Sequence, residues 1–311
     1  MPVHPQIQAR LDAAAALPPL ETLEVGAARQ RYEAGIAVQP PPRAVGAVEE
    51  RVIDGPGGPL RLRIYQPAGE AAVRPVLVFF HGSGFVLCSL DTHDGMCRNL
   101  CAGSGYVVVS VDYRLAPEHK FPAAPEDCLR ATRWAGAQAA SFGGDPDRLV
   151  VAGDSAGGNL AAVTALRVRD EGGPALRGQL LIYPVTGHPA RAMPSWTENG
   201  AGFGLTRAGM SWFLDHYLRT DADALDPLAV PLEAPDLTGL PAALVQVAEY
   251  DVLRDEGAAY ALRLQQAGVA ATLTRWPGMN HGFLQWAGQI DTASAAMDEA
   301  TDWLRRIARH G

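Results

Sequence analysis

Gly153-Asp154-Ser155-Ala156-Gly157 sets a serine between two glycines in the pattern G-x-S-x-G. Chance supplies about 0.1 such matches in a chain with this much glycine and serine, so the string alone is only suggestive. Its surroundings carry more weight. Residues 149–152 form a short continuous apolar run just before it, and residues 159–169 read as a helix just after it. A sharp strand-to-helix turn holds a serine hydroxyl exposed at the carboxyl end of a sheet. Gly153, Gly157 and Gly158 let such a turn close without side-chain clash. The positive end of the following helix faces any oxyanion formed at Ser155. The chemistry implied is nucleophilic attack by a serine, which needs a base and an acid to orient that base.

In a fold of this kind the acid and then the histidine follow the serine, each at the end of a later strand. Of the eight histidines, His4, His81, His93 and His119 precede Ser155. His188 and His216 fall in a stretch before the next core strand, and His310 is at the C-terminus. His281, in Pro277-Gly278-Met279-Asn280-His281-Gly282-Phe283, follows a late strand at about 272–276, and elimination selects it. The acid belongs just past the apolar run 243–247, where Glu249-Tyr250-Asp251 lies. Asp251 ends the strand and is favoured over Glu249. It is also favoured over Asp255, which belongs with Glu256 in the first turn of the next helix, where acids suit the dipole. The oxyanion of a tetrahedral intermediate needs preset backbone N–H donors. Ala156 supplies one, and the glycine-rich loop His81-Gly82-Ser83-Gly84-Phe85, after the buried run 76–80, suits the others.

These residues need a sheet to hold them. Residues 76–80, 107–111, 149–152, 180–183 and 243–247 are β-branched or apolar runs, interrupted only by Ser110 and Gln246, the mark of strands buried on both faces. Helical patterns fall between them at about 126–138, 158–171, 254–267 and 292–308. Alternating β and α elements predict an α/β fold with a mostly parallel central sheet covered by helices on both faces. Residues 49–53 and 60–65 flank Asp54-Gly55-Pro56-Gly57-Gly58-Pro59 and read as a hairpin at the start. The division is 1–45 as an N-terminal helical cap segment, 46–187 and 236–311 as the catalytic core, and 188–235 as a second cap insertion with a helix near 206–218.

Composition narrows the chemistry further. The 311 residues carry 34 acidic and 26 basic side chains, a net charge of −8, and 25 of the 26 bases are arginine. Lysine chemistry would fall to Lys120 alone, which has no glycine-rich phosphate loop before it. An acidic chain without a basic tract argues against a nucleic-acid or anionic-membrane partner. No apolar stretch is long enough for a membrane span. The start of the chain has no export signal, and Cys88, Cys97, Cys101 and Cys128 form no CxxC pair, so a cytoplasmic location with reduced thiols is expected. His93, Cys97 and Cys101 share one helix face, but a zinc site would need a fourth ligand, and a buried helix face is the better reading.

Together, His81-Gly82-Ser83-Gly84-Phe85, Asp112-Tyr113-Arg114-Leu115-Ala116-Pro117-Glu118, the Ser155 motif through Asn159, Asp251-Val252-Leu253-Arg254-Asp255-Glu256-Gly257 and Gly278-Met279-Asn280-His281-Gly282-Phe283 resemble the bacterial hormone-sensitive-lipase-like (family IV) carboxylesterases of the α/β-hydrolase superfamily. The motifs occur in the family's order across nearly the whole catalytic core. The resemblance implies a Ser155–His281–Asp251 triad and oxyanion donors at Ser83, Gly84 and Ala156. It implies a helical cap, short- to medium-chain ester substrates, no metal or other cofactor, and often a homodimer. A related hydrolase acting on amides or lactones is the nearest alternative. A non-catalytic receptor of the same fold typically lacks the histidine that His281 provides here. A dinucleotide-binding oxidoreductase has only Gly103-Ser104-Gly105, on the wrong side of a strand.

One departure stands out. The family usually has glycine where this chain has Ser83, and a left-handed backbone there would strain a serine. Asp112 and Arg114 are read as architectural ion-pair partners. Phe203, Trp212, Phe213 and Tyr217 suit either an acyl pocket or a cap core.

Overall fold

The computed structural model describes residues 1–69 and 73–309, so His310 lies outside the described residues. Its eight-stranded sheet begins with the expected hairpin, β1 (Ala47–Gly55) and β2 (Gly58–Gln66), which pair antiparallel with Gly55 opposite Gly58. The other strands are β3 (Arg74–Phe80), β4 (Val107–Val111), β5 (Gly144–Asp154), β6 (Leu176–Ile182), β7 (Ala242–Tyr250) and β8 (Ala271–Asn280). Their order is β1-β2-β4-β3-β5-β6-β7-β8, antiparallel from β1 to β4 and parallel from there to β8.

The β-branched runs sit as their composition demands. Val76, Val78 and Phe80 face one apolar core, while Leu77 and Phe79 face another, and all five are fully buried. The first core is covered by α4 (Ala123–Gln138), α5 (Ala156–Glu171) and α8 (Arg254–Gln266). The second lies under α3 (Asp94–Ser104) and α9 (Asp291–Ile307), whose Ala293, Ala296, Met297, Ala300 and Leu304 recur at helical spacing. Burying one such Phe or Val side chain stabilises by about 1.5–3 kcal/mol. The sheet is therefore rigid where it must present loops.

Helix α3 was visible in the sequence only as the stripe His93, Cys97, Cys101. Cys97 and Cys101 are buried on that helix face, and His93 caps its start, turned toward Asp154. Among the described residues no cluster of side chains is arranged to hold a metal ion, and no helix is long and apolar enough to cross a membrane.

Two segments outside the sheet lie over its carboxyl edge. The first contains α1 (Pro5–Ala14) and α2 (Val25–Ala34). Its Arg29 donates to the carbonyls of Val86 and Ala116 at 2.9 Å and pairs with Glu118 at 2.7 Å. The second lies between β6 and β7 and holds α6 (Pro194–Glu198) and α7 (Arg207–Tyr217), and residues 20–22 pack against α7. The single lysine has a structural use here. Lys120 Nζ donates to the Asp215 and Leu218 carbonyls at 2.9 and 2.7 Å, capping the C-terminus of α7. Arg114 pairs with Asp127 at 2.8 Å and Asp112 with Arg61 at 3.0 Å, the architectural roles read from their motif.

Candidate active site

Ser155 occupies the turn between β5 and α5 with φ 56° and ψ −118°, a conformation costing a non-glycine residue about 1–3 kcal/mol. The turn is held by its backbone. Ser155 N–H donates to the Ile182 carbonyl at 2.8 Å, and its carbonyl accepts from Asn159 and Val185 at 3.1 Å each. The flanking glycines are needed for room. A Cβ on Gly153 would stand 2.6 Å from the Phe80 carbonyl oxygen, one on Gly157 would overlap that same oxygen, and one on Gly158 would meet Pro184 at 2.8 Å.

Three strand ends bring together residues far apart in sequence. Asp251 follows β7 and His281 follows β8, and these strands pair as parallel neighbours as far as Tyr250 and Asn280. His281 Nε2 lies 2.9 Å from Ser155 Oγ, and its Nδ1 lies 2.7 Å from Asp251 Oδ2. With the tautomer that carries its proton on Nδ1, the Nδ1–H donates to the carboxylate and Nε2 accepts a hydrogen bond from the serine hydroxyl. The other Asp251 oxygen accepts the Leu253 N–H at 3.0 Å, and the Asp251 side chain is fully buried. Asn199, on the insertion, donates to the Asp251 carbonyl at 3.0 Å, a support that the sequence did not announce. The rival acids are engaged elsewhere. Asp255 accepts the Ser195 N–H at 2.8 Å, and Glu249 accepts the Gly278 N–H at 2.8 Å.

The loop after β3 lies against the Ser155 turn, its Gly82 N–H donating to Asp154 Oδ1 at 2.9 Å. Ser83, Gly84 and Phe85 are consecutively left-handed, with φ of 84°, 63° and 66°. The strain expected of Ser83 is therefore present. Its hydroxyl accepts a hydrogen bond from Cys88 Sγ at 2.8 Å, and burial pushes that thiol up to about 12, so it stays a donor. Among the described residues no protein acceptor pairs with the N–H groups of Ser83, Gly84 or Ala156. Unpaired N–H groups of this kind are what a developing oxyanion requires.

The aromatics divide. Phe213 is pressed onto Gly84, where a Cβ would come within 2.6 Å of its Cε1 and closer still to Cγ and Cδ1. Tyr217 stacks on Phe85 with centroids 3.8 Å apart. Phe203 and Trp212 are less buried, against Tyr250 and His216 respectively. A cavity of about 830 Å³ lies on the far side of α7, lined by Lys120, Arg191, Leu214 and Arg219, and no triad residue lines it. It does not bear on the chemistry at Ser155.

A nucleophile elbow, a histidine and a buried aspartate at the carboxyl ends of a mostly parallel sheet define an α/β-hydrolase. A family profile described as alpha/beta hydrolase fold matches residues 77–285. The chain is 45% identical over 288 residues to the carboxylic ester hydrolase LipN of Mycobacterium tuberculosis, covering 91% of this chain and 76% of that one. It is 37% identical over 297 residues to an ethyl acetate hydrolase of Pseudomonas putida, covering 93% and 92%. Its fold is similar to that of a hyperthermophilic esterase from the archaeon Pyrobaculum calidifontis, with a TM-score of 0.91, 42% identity and 99% of both chains covered. The chain belongs to the hormone-sensitive-lipase-like branch of the α/β-hydrolases.

Proposed function

We propose that this chain is a serine carboxylesterase that hydrolyses short- to medium-chain carboxylic esters through an acyl-enzyme on Ser155. The observation that carries the reading is the hydrogen-bonded line from Ser155 Oγ through His281 to Asp251. Ser155 Oγ attacks the ester carbonyl as its proton passes to His281 Nε2. The carbonyl electron pair moves onto oxygen and is met by the N–H groups of Ser83, Gly84 and Ala156. Asp251 holds the imidazole tautomer and stabilises the imidazolium. Collapse expels the alcohol, which takes the proton from His281. Water activated by the same imidazole then releases the acid.

Residues 1–45 and 188–235 act as the cap over this site. Phe213 and Tyr217, buried against the oxyanion loop, support a bounded acyl pocket, and the ethyl acetate hydrolase relative supports a short acyl group. Four free, buried cysteines suit a reducing compartment such as the cytoplasm. A series of p-nitrophenyl esters from acetate to palmitate, with Ser155→Ala as control, tests the reading. Turnover peaking at short to medium chains is expected. No turnover of any ester would sink it, and a maximum at the longest chains would refute the bounded pocket.

A further inference from the structure

Behind the oxyanion loop lies a buried aspartate–histidine pair that acyl transfer does not use. Asp154, the residue before Ser155, is 3% exposed, and His93 is 1% exposed. Asp154 Oδ1 accepts the Gly82 N–H at 2.9 Å and stands 3.2 Å from His93 Nε2. His93 Nδ1 in turn lies 3.0 Å from Thr92 Oγ1. Gly82 is not one of the left-handed residues of the loop, so its glycine serves another purpose. A Cβ there would stand 2.6 Å from Asp154 Oδ2, and glycine alone lets the carboxylate approach the peptide.

A buried carboxylate is costly unless it is paired, and a space-filling role at this position would be met by an apolar side chain. The Gly82 N–H, which leads into Ser83 and Gly84, points at both members, 2.9 Å from Asp154 Oδ1 and 3.4 Å from His93 Nε2, and the imidazole is steadied further by Thr92 and by Gln285 Nε2 at 3.4 Å. That loop needs an anchor, because three consecutive left-handed residues would relax if released. The anchor is covalently adjacent to the nucleophile.

We propose that Asp154 and His93 are positioning residues, which fix the Gly82 peptide and thereby set the Ser83 and Gly84 N–H donors relative to Ser155 Oγ. This rests on the esterase reading and on the oxyanion role given to the loop. The pair acts on the transition state, in which negative charge reaches the donors, and has little effect on ground-state ester binding.

The test compares Asp154→Ala, Asp154→Asn and His93→Gln with the wild-type chain. It uses p-nitrophenyl butyrate turnover and inhibition by a trifluoromethyl ketone, whose hemiketal with Ser155 places an oxyanion in the hole. Asp154→Ala is expected to lower kcat about 10- to 100-fold with KM changed less than about threefold, and to weaken the ketone by the same factor as kcat/KM. The acid limb of the kcat/KM profile should stay in place. Asp154→Asn keeps an acceptor for the Gly82 N–H and should recover most of the loss. If Asp154→Ala does not fold, His93→Gln carries the comparison, with an expected loss of about fivefold in both kcat and ketone affinity. Wild-type kcat in Asp154→Ala, or in His93→Gln where it stands alone, would overturn the inference. So would a loss of turnover without loss of ketone affinity, or a displaced acid limb. Failure of the wild type to turn over any ester would instead overturn the esterase reading itself.

Discussion

Gly84→Ala probes the contact between Phe213 of α7 and the loop after β3. Gly84 has φ 63°, where a side chain costs about 1–2 kcal/mol. The new methyl would also stand 2.6 Å from Phe213 Cε1 and nearer still to Cγ and Cδ1, while carbon atoms normally meet at about 3.5–4.0 Å. Phe213 is 3% exposed, so it has little room to retreat, and forced overpacking of that kind costs about 1–3 kcal/mol. Gly84→Ala should therefore destabilise by about 2–5 kcal/mol and, with the Gly84 N–H as the oxyanion donor proposed above, lower kcat about 10²- to 10³-fold. Phe213→Ala removes the clash but not the backbone strain. Urea unfolding of wild type, both single variants and the double variant isolates the term. The double variant should be more stable than the sum of the single effects by about 1–3 kcal/mol. Additivity within about 0.5 kcal/mol would show that Phe213 does not press on the loop.

Ser83→Gly relieves about 1–3 kcal/mol of left-handed strain but adds glycine's conformational entropy and loses the Cys88 hydrogen bond. Stability should change by no more than about 1 kcal/mol, while kcat changes more than KM; identical rates would make the serine immaterial. Glu256 offers a pH test. Burial, aided by nearby Asp251, raises its carboxyl from 4.5 to about 7, although the N–H groups of Thr186 and Gly187 and the Trp196 indole favour the anion. Between those values the folded state binds the proton more tightly, so this contribution is full below pH 4.5 and is lost as pH rises through 7. Urea unfolding at pH 5.5 and 8.5 should show the wild type losing on the order of 2–3 kcal/mol relative to Glu256→Gln over that interval, and parallel behaviour of the two would refute it.

The parts legible in the sequence were those with local signatures. Continuous β-branched runs marked the strands because a strand covered on both faces has no polar side. Ser155 was readable from the strand, turn and helix around it. Asp251 and His281 were readable because chain order and strand ends restrict where a triad can close. The left-handed strain at Ser83 was also foreseeable, since a glycine loop closing on a substrate oxygen tends to need it. Other features depend on contacts without a local period. Asp154 and His93 meet across 61 residues, and inside G-x-S-x-G the aspartate reads as an unspecified position. Asn199 reaches Asp251 from an insertion whose loops carry no periodic pattern. Helix α3 is short and rich in glycine and cysteine, so its apolar stripe is narrow and its existence rests on packing under α9.

The acyl-enzyme on Ser155 is tested by the intact mass of the protein mixed with p-nitrophenyl acetate and quenched during the burst, followed by peptide mapping. A rapid burst of p-nitrophenol is expected, with one acetyl group added to the chain and localised to Ser155, and neither in Ser155→Ala. Turnover without an acyl adduct, or an adduct on another residue that persists in Ser155→Ala, would contradict it.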